Sequence, residues 1–143
     1  MSLATAVALS SIPIVAAAPP PTVLIVEDER KLRGWLLDQF FTLGIVPLTA
    51  ASGFEAIRVT GEQRPGLILL DGLLPEMHGF EIARFVRRID SGYRPYIAIM
   101  TAIYKNVRYQ NEARLKYGID DYLIKPVQPA SLAALVERAR ERA

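Results

Sequence analysis

The sequence reads as an α/β protein: a doubly wound, five-stranded parallel sheet with helices on both faces. Three observations predict this. Short apolar runs recur along the chain, as at Thr22–Val26 (rich in β-branched residues), Leu67–Leu70 and Tyr96–Met100. Longer segments with apolar residues at helical spacing separate them. The runs are apolar throughout rather than alternating, which suits strands covered by helices on both sides.

Each element can be justified in order. Thr22-Val23-Leu24-Ile25-Val26 is a fully apolar first strand. Arg30 to Leu43 carries Leu32, Trp35, Leu36, Phe40 and Leu43 on one helical side, and Gly44 stops it. Ile45 to Ala50 is a second strand, and Pro47, which cannot donate to a ladder, assigns it to an edge. Ser52 with Glu55 three residues on is a capping box, opening a helix that runs to about Thr60 and ends at Gly61. Leu67 to Leu70 is a third strand, ending at Asp71. Ile82, Phe85, Val86 and Ile89 are spaced i, i+3, i+4, i+7 and predict a helix with one buried stripe. Tyr96 to Met100 is a fourth strand, ending at Thr101. A helix over Val107 to Tyr117 is stopped by Gly118. Tyr122-Leu123-Ile124 is a short fifth strand, ending at Lys125. Pro129 suits the first turn of a last helix, whose stripe is Leu132, Leu135, Val136 and Ala139. Right-handed crossovers leave few topologies for this alternation, and a flavodoxin-like sheet in the order 2-1-3-4-5 is the expectation.

Composition narrows the chemistry. The 143 residues make one domain, long enough to fold without a metal or disulfide staple. There is no cysteine, which excludes disulfides, a thiol nucleophile and thiolate metal sites. A single histidine argues against a multi-histidine zinc site or a Ser-His-Asp triad. With 17 basic and 15 acidic residues the net charge is only +2, which makes no case for nucleic acid. Arg87-Arg88, Arg138, Arg140 and Arg142 lie at helix-like spacings and read as solvated faces.

The first 21 residues differ from the rest. They carry no charged side chain, are rich in alanine and close on Pro19-Pro20-Pro21. Ala16-Ala17-Ala18 has the look of a cleavage site, but no basic segment precedes it, and Ser10, Ser11 and Pro13 interrupt the apolar run. The stretch is also too short and broken to span a membrane. It reads as a tail or linker ahead of a domain over residues 22–143. The alternative is an added helix or strand covering an apolar face, with the prolines as a stiff joint. No membrane association and a cytoplasmic location are expected.

In open α/β sheets, ligands bind beyond the carboxyl ends of the strands. Glu27 and Asp28 follow the first strand, Asp71 ends the third, Thr101 the fourth and Lys125 the fifth. Three clustered carboxylates must be neutralised. Oxygen donors alone suit a hard cation such as Mg²⁺. A lysine opposite them suits a phosphate, and a threonine hydroxyl can donate to one. The central carboxylate, Asp71, could be the nucleophile that becomes an aspartyl phosphate. Taken singly, each residue could be a turn former, a helix cap or a surface group. Four strand ends of one fold carrying the whole set make coincidence a poor account.

At this point the residues resemble a known family. From Thr22 onward the chain is similar to the receiver domains of response regulators, the phospho-acceptor modules of two-component signalling. The motifs are Val23-Leu24-Ile25-Val26-Glu27-Asp28, Asp71-Gly72-Leu73-Leu74-Pro75-Glu76-Met77-His78-Gly79, Thr101-Ala102 and Asp121-Tyr122-Leu123-Ile124-Lys125-Pro126. The resemblance implies that Asp71 is phosphorylated by a histidine kinase or phosphotransfer protein. It implies Mg²⁺ or Mn²⁺ bound by Asp28, Asp71 and the backbone carbonyl of Leu73, with Glu27 acting through water. Lys125 and Thr101 would contact the phosphoryl group, Thr101 and Tyr122 would form a switch pair, and the bond to Pro126 would be cis. A downstream protein or an output domain of its own would read the face made by the fourth helix, fifth strand and fifth helix. Homodimerisation would use the same face.

Some features depart from the family pattern. The acidic pair is Glu-Asp rather than Asp-Asp. The segment between Thr101 and Lys125 is slightly long, and the extra length falls near Tyr104, Lys105, Arg108 and Tyr109, which read either as a partner surface or as an ordinary solvated helix start. Leu73 and Ile103 are apolar where the family lets in hydrolytic water, implying slow autodephosphorylation. His78 reads as a loop residue rather than a phosphotransfer histidine.

Competing readings differ in class. A phosphorylation-independent binding module on this fold would be expected to lose an acidic residue, the threonine or the lysine, and none is lost. A nucleotide- or flavin-binding protein would want a glycine-rich phosphate loop, and neither G-x-G-x-x-G nor G-x-x-x-x-G-K-[ST] occurs. A phosphatase with an aspartate nucleophile would want a second aspartate where Leu73 stands.

Overall fold

In a computed structural model of the chain, residues 19–102 and 107–142 are described, apart from the side chains at positions 107, 109 and 113. The strands are β1 (Val23–Val26), β2 (Leu48–Ala50), β3 (Leu67–Asp71), β4 (Tyr96–Thr101) and β5 (Asp121–Ile124). The helices are α1 (Arg30–Thr42), α2 (Gly53–Gln63), α3 (Gly79–Arg87), α4 (Val107–Tyr117) and α5 (Pro129–Arg142). All strand pairs are parallel, in the order β2-β1-β3-β4-β5. This is the doubly wound, flavodoxin-like sheet that the alternation predicts.

Two cores cover the two faces, because successive side chains of a strand point to opposite sides. Leu24, Val26, Ile68, Leu70, Ile97 and Ile99 pack under α2 and α3. Val23, Ile25, Leu67, Leu69, Ala98 and Met100 pack under α1 and α5. The strands β1 and β3 are buried along their whole length, which explains why they read as unbroken apolar runs.

Local chemistry sets the element ends, sometimes against expectation. Ser52 Oγ accepts from the Glu55 amide at 3.2 Å, while Glu55 Oε2 takes the Ala51 amide at 3.3 Å, one residue earlier than a standard capping box. Strand β2 is shorter than expected, since the chain enters the ladder only at Leu48, after Pro47. Helix α2 does not stop at Gly61. It runs to Gln63 and ends on Arg64 in the left-handed conformation (φ 45°), just before Pro65. The stripe expected on α3 is half right: Ile82 and Val86 are buried, but Phe85 and Ile89 are exposed. The buried side of α3 is completed instead by Phe80 and Ala83. On α1, Leu36 and Phe40 are buried, while Leu43, the residue after the helix, is exposed. The arginines expected on solvated faces are mostly held: Arg87 donates to Gly118 O, Pro95 O and Asp120, Arg138 pairs with Asp121, Arg142 pairs with Asp120, and Arg140 Nε is buried, while Arg88 is exposed. Residues 1–18, which include most of the apolar tail, lie outside the described residues, as do Ile103, Tyr104 and Lys105. Among the described residues, no helix is long and apolar enough to cross a membrane.

Candidate functional site

Four loops at the carboxyl rim of the sheet build the site. Glu27 follows β1, and its amide continues the ladder by donating to Ala50 O at 3.1 Å. That turns its side chain inward, where it is 1% exposed. Asp28, the next residue, is exposed. Arg33 of α1 reaches back to the carbonyl oxygens of Glu27 (2.9 Å) and Asp28 (3.3 Å), pinning this acidic turn.

Asp71 is the last residue of β3 and is almost fully buried. Its Oδ1 accepts from the Leu73 amide at 3.2 Å. The loop after it is closed by a bridge between Leu73 and His78 and by the Gly79 amide on Gly72 O at 3.3 Å. A side chain at Gly79 would collide with the carbonyl oxygen of Asp71, so only glycine allows this return. The register Asp71↔Met100 sets Thr101, buried at the end of β4, on the same rim. Lys125 follows β5, and its amide donates to Thr101 O at 3.0 Å. Its Nζ lies 3.1 Å from Asp71 Oδ1 and 3.5 Å from Glu27 Oε1. The Lys125–Pro126 bond is cis.

The electrostatics follow from this crowding. One carboxylate oxygen from each of Glu27, Asp28 and Asp71 lies within 4.8 Å of the others. Burial, then the hydrogen bond and negative charge of Asp71, push the Glu27 carboxyl up to about 7, although the Glu29 amide and Lys125 oppose this. Burial pulls the Lys125 ammonium down, but Asp71 and Glu27 outweigh it and raise it overall. Glu27 Oε1 is buried without a hydrogen-bond partner. A buried oxygen that faces Lys125 only at 3.5 Å, beside two further carboxylates, is what a Mg²⁺ ion or its bound water would satisfy, so these residues fit a hard divalent cation.

Sequence reasoning placed Glu27, Asp28, Asp71, Thr101 and Lys125 on this rim, and the structure brings them together. Leu73 sits in the same loop, about half exposed. Tyr122 lies in β5 beside Ile99, buried, with its ring 6.4 Å from that of Phe80. Arg108 is exposed on the first turn of α4, 3.4 Å from Glu112. Tyr104, Lys105 and the Tyr109 side chain lie outside what is described. Sequence reasoning missed Arg33, and it quoted Gly79 in the motif after Asp71 without giving it a role. The signal for Gly79 was a glycine right after the loop that follows the central aspartate; Arg33 left none.

Comparison with known proteins agrees with the geometry. The family model of the response regulator receiver domain matches residues 23–137. The transcriptional regulatory protein AfsQ1 of Streptomyces coelicolor is 37% identical over 122 residues, covering 85% of this chain and 52% of that protein. The chain thus spans about half the length of this curated relative. A response regulator structure from Chloroflexus aurantiacus superposes with a TM-score of 0.77 at 29% identity, covering 86% of this chain and 99% of that one. The receiver domain of a Pseudomonas aeruginosa sensor histidine kinase, solved with a magnesium ion coordinated in its active-site cleft, gives 0.75 at 30% identity, covering 85% and 98%. Fold, rim and matched residues lead to one conclusion: this chain belongs to the response regulator receiver domain family.

Proposed function

We propose that Asp71 is a phospho-acceptor and that its phosphorylation by a histidine kinase or phosphotransfer protein switches the output face of this domain. One observation carries this reading. Lys125 Nζ stands 3.1 Å from Asp71 Oδ1 at a rim where three carboxylates converge within 4.8 Å. In the reaction, an Asp71 carboxylate oxygen attacks the phosphorus of a phosphohistidine. The N–P bond breaks as the O–P bond forms, and the imidazole nitrogen takes up a proton from water. Asp28, Asp71 and the Leu73 carbonyl, with Glu27 through water, would hold Mg²⁺ or Mn²⁺, which supplies neutralising charge for the phosphoryl oxygens. Lys125 holds one phosphoryl oxygen as a point charge. The Thr101 hydroxyl donates to another, and its movement leaves room for Tyr122 to turn inward. The face of α4, β5 and α5 then changes for a reader, which is a partner protein, an output domain or a second copy of the chain.

Intact mass after incubation with acetyl phosphate tests this directly. The expected result is a Mg²⁺-dependent gain of one phosphoryl group, absent in Asp71→Asn. Persistence of the gain in that variant would move the acceptor elsewhere. No gain under any condition would leave a receiver-like module that signals by binding alone.

A further inference from the structure

The opposite end of the sheet carries a charge concentration that the phospho-acceptor reading does not use. Where α3, α4 and α5 end and β4 and β5 begin, a cavity of about 470 Å³ opens to the surface. Its walls hold Arg84, Arg87 and Arg88 from the end of α3 and Arg94 from the turn before β4. Arg114 and Lys116 of α4 and Arg142 of α5 complete them, and Asp120 is the lone carboxylate. Seven of the chain's 17 basic residues thus line one cavity with one of its 15 acidic residues. The remainder of the chain is left net acidic, so the overall charge of +2 conceals a local concentration of positive charge.

An ordinary explanation exists for part of this. Helix carboxyl ends carry roughly half a negative charge each, and cations there are stabilising. Three such ends plus Asp120 come to about two and a half negative charges, well short of seven cations. Only two of the seven meet a carboxylate among the described residues, while Arg114 and Lys116 lie over the rings of Tyr122 and Tyr117 at 5.6 and 5.2 Å, contacts that leave their charge unneutralised. Arg87 donates to Gly118 O, Pro95 O and Asp120, and Arg142 pairs with Asp120. Among the described residues, no carboxylate lies within ion-pair distance of Arg84, Arg88, Arg94, Arg114 or Lys116. Five cations kept together without counter-charge repel one another, which an anion would relieve.

We infer that this cavity binds a multiply charged phosphate anion: an inorganic oligophosphate or the phosphate chain of a nucleotide. Arginine forks suit phosphate oxygens, and the volume lies within the range of about 300–1,000 Å³ usual for small-ligand sites. A nucleic-acid backbone is less well matched, because the cations wall a cavity between helix ends rather than run as a stripe along one face.

The test is calorimetric titration of the full chain with sodium triphosphate, without Mg²⁺, at low salt. Saturable one-to-one binding is expected, weakening as salt rises. Orthophosphate should bind at least about tenfold more weakly, since fewer charges meet the arginines. The double variant Arg88→Gln/Arg114→Gln spares the structural Arg87 and should lose at least about tenfold in affinity. Arg30→Gln/Arg58→Gln, which removes the same charge elsewhere, should lose little, and Asp71→Asn should bind as wild type does. ATP binding like triphosphate would assign the phosphate chain alone; ATP binding tighter would add recognition of the nucleoside. Absence of saturable binding at millimolar triphosphate would overturn the inference. So would equal losses in the two double variants, or binding of a DNA duplex alone.

Discussion

Glu27 shows how a single buried carboxyl couples fold, proton and metal. Its side chain is 1% exposed, and burial beside Asp71 raises its titration from the usual carboxylate range to about 7. Folding therefore favours its protonated form. That contribution to stability is complete below the unfolded value near 4.5 and is lost as pH rises through about 7. Metal-free protein should lose roughly 2–3 kcal/mol from this group between those limits. Chemical denaturation from pH 4.5 to 8 checks it: Glu27→Gln should flatten that part of the profile. Since a cation competes with the proton, Mg²⁺ affinity should climb toward pH 7, by up to about tenfold per pH unit, and level off above it. A Mg²⁺ affinity flat between pH 5 and 7 would contradict this coupling. Gly79 acts on the same site through the backbone. Gly79→Ala would press a methyl group on the Asp71 carbonyl oxygen. It should slow phosphorylation by acetyl phosphate at least about tenfold while Asp71 itself is intact, because small displacements of a reacting group are costly.

Between elements, Arg87 is the clearest case of structure exceeding what sequence shows. It leaves the last turn of α3 and donates to Gly118 O at 2.7 Å, Pro95 O at 2.7 Å and Asp120 Oδ2 at 2.7 Å. Asp120 in turn accepts from the Ile97 amide at 2.8 Å, so one ion pair ties α3, β4 and β5. Arg87→Met should cost about 1–3 kcal/mol, seen as a lower urea midpoint, because it takes the donor from the Gly118 and Pro95 carbonyls and leaves Asp120 to Arg142 and the Ile97 amide. Gly118→Ala should also destabilise, by about 1–2 kcal/mol, since φ is +68° and the new methyl would meet Arg87. Nothing in the sequence distinguishes Arg87 from Arg88; its partner lies 33 positions away. The same limit explains Phe85 and Ile89. They share the helical period of Ile82 and Val86, but period gives a stripe without its centre, and Phe80 moves that centre by packing against Tyr117 at 5.2 Å. Gly61 misled in another way. An internal glycine is tolerated when packing holds a helix, and the true stop was written in Pro65. By contrast, β1, β3 and β4 were legible almost to the residue, because a strand buried on both faces can be nothing but apolar. The rim was legible for the complementary reason. Where such a run ends in a charged or hydroxyl residue that is still buried, as at Glu27, Asp71 and Thr101, with Lys125 following β5, the polar group needs partners and chemistry begins.

At the scale of the molecule, Asp71, the proposed acceptor, stands at the end of a strand buried along its whole length. Strand β3 is buried throughout, flanked by β1 and β4, with a core on each face. A close-packed interior does not deform gradually. The charge of about −1.5 to −2 that a phosphoryl group would bring to Asp71 would therefore have to be answered where the rim connects to less constrained structure. On the β1 side, Arg33 already pins the acidic turn to α1. On the other side, Lys125 and Thr101 are tied to each other and lead into β5 and to α4, a helix whose described residues lie mostly at the surface, with Leu115 90% exposed. On the proposed function, the fold would thus direct the response one way. Hydrogen exchange before and after phosphorylation should show changed protection from Thr101 through Ile124 and no change over β1 and the helix Gly53–Gln63. Asp71→Asn treated in the same way should show no change in either region. Changes spread evenly over both halves of the sheet would mean that the core itself rearranges, and the proposed path from Asp71 through Thr101 and Lys125 to the α4–β5 edge would be wrong.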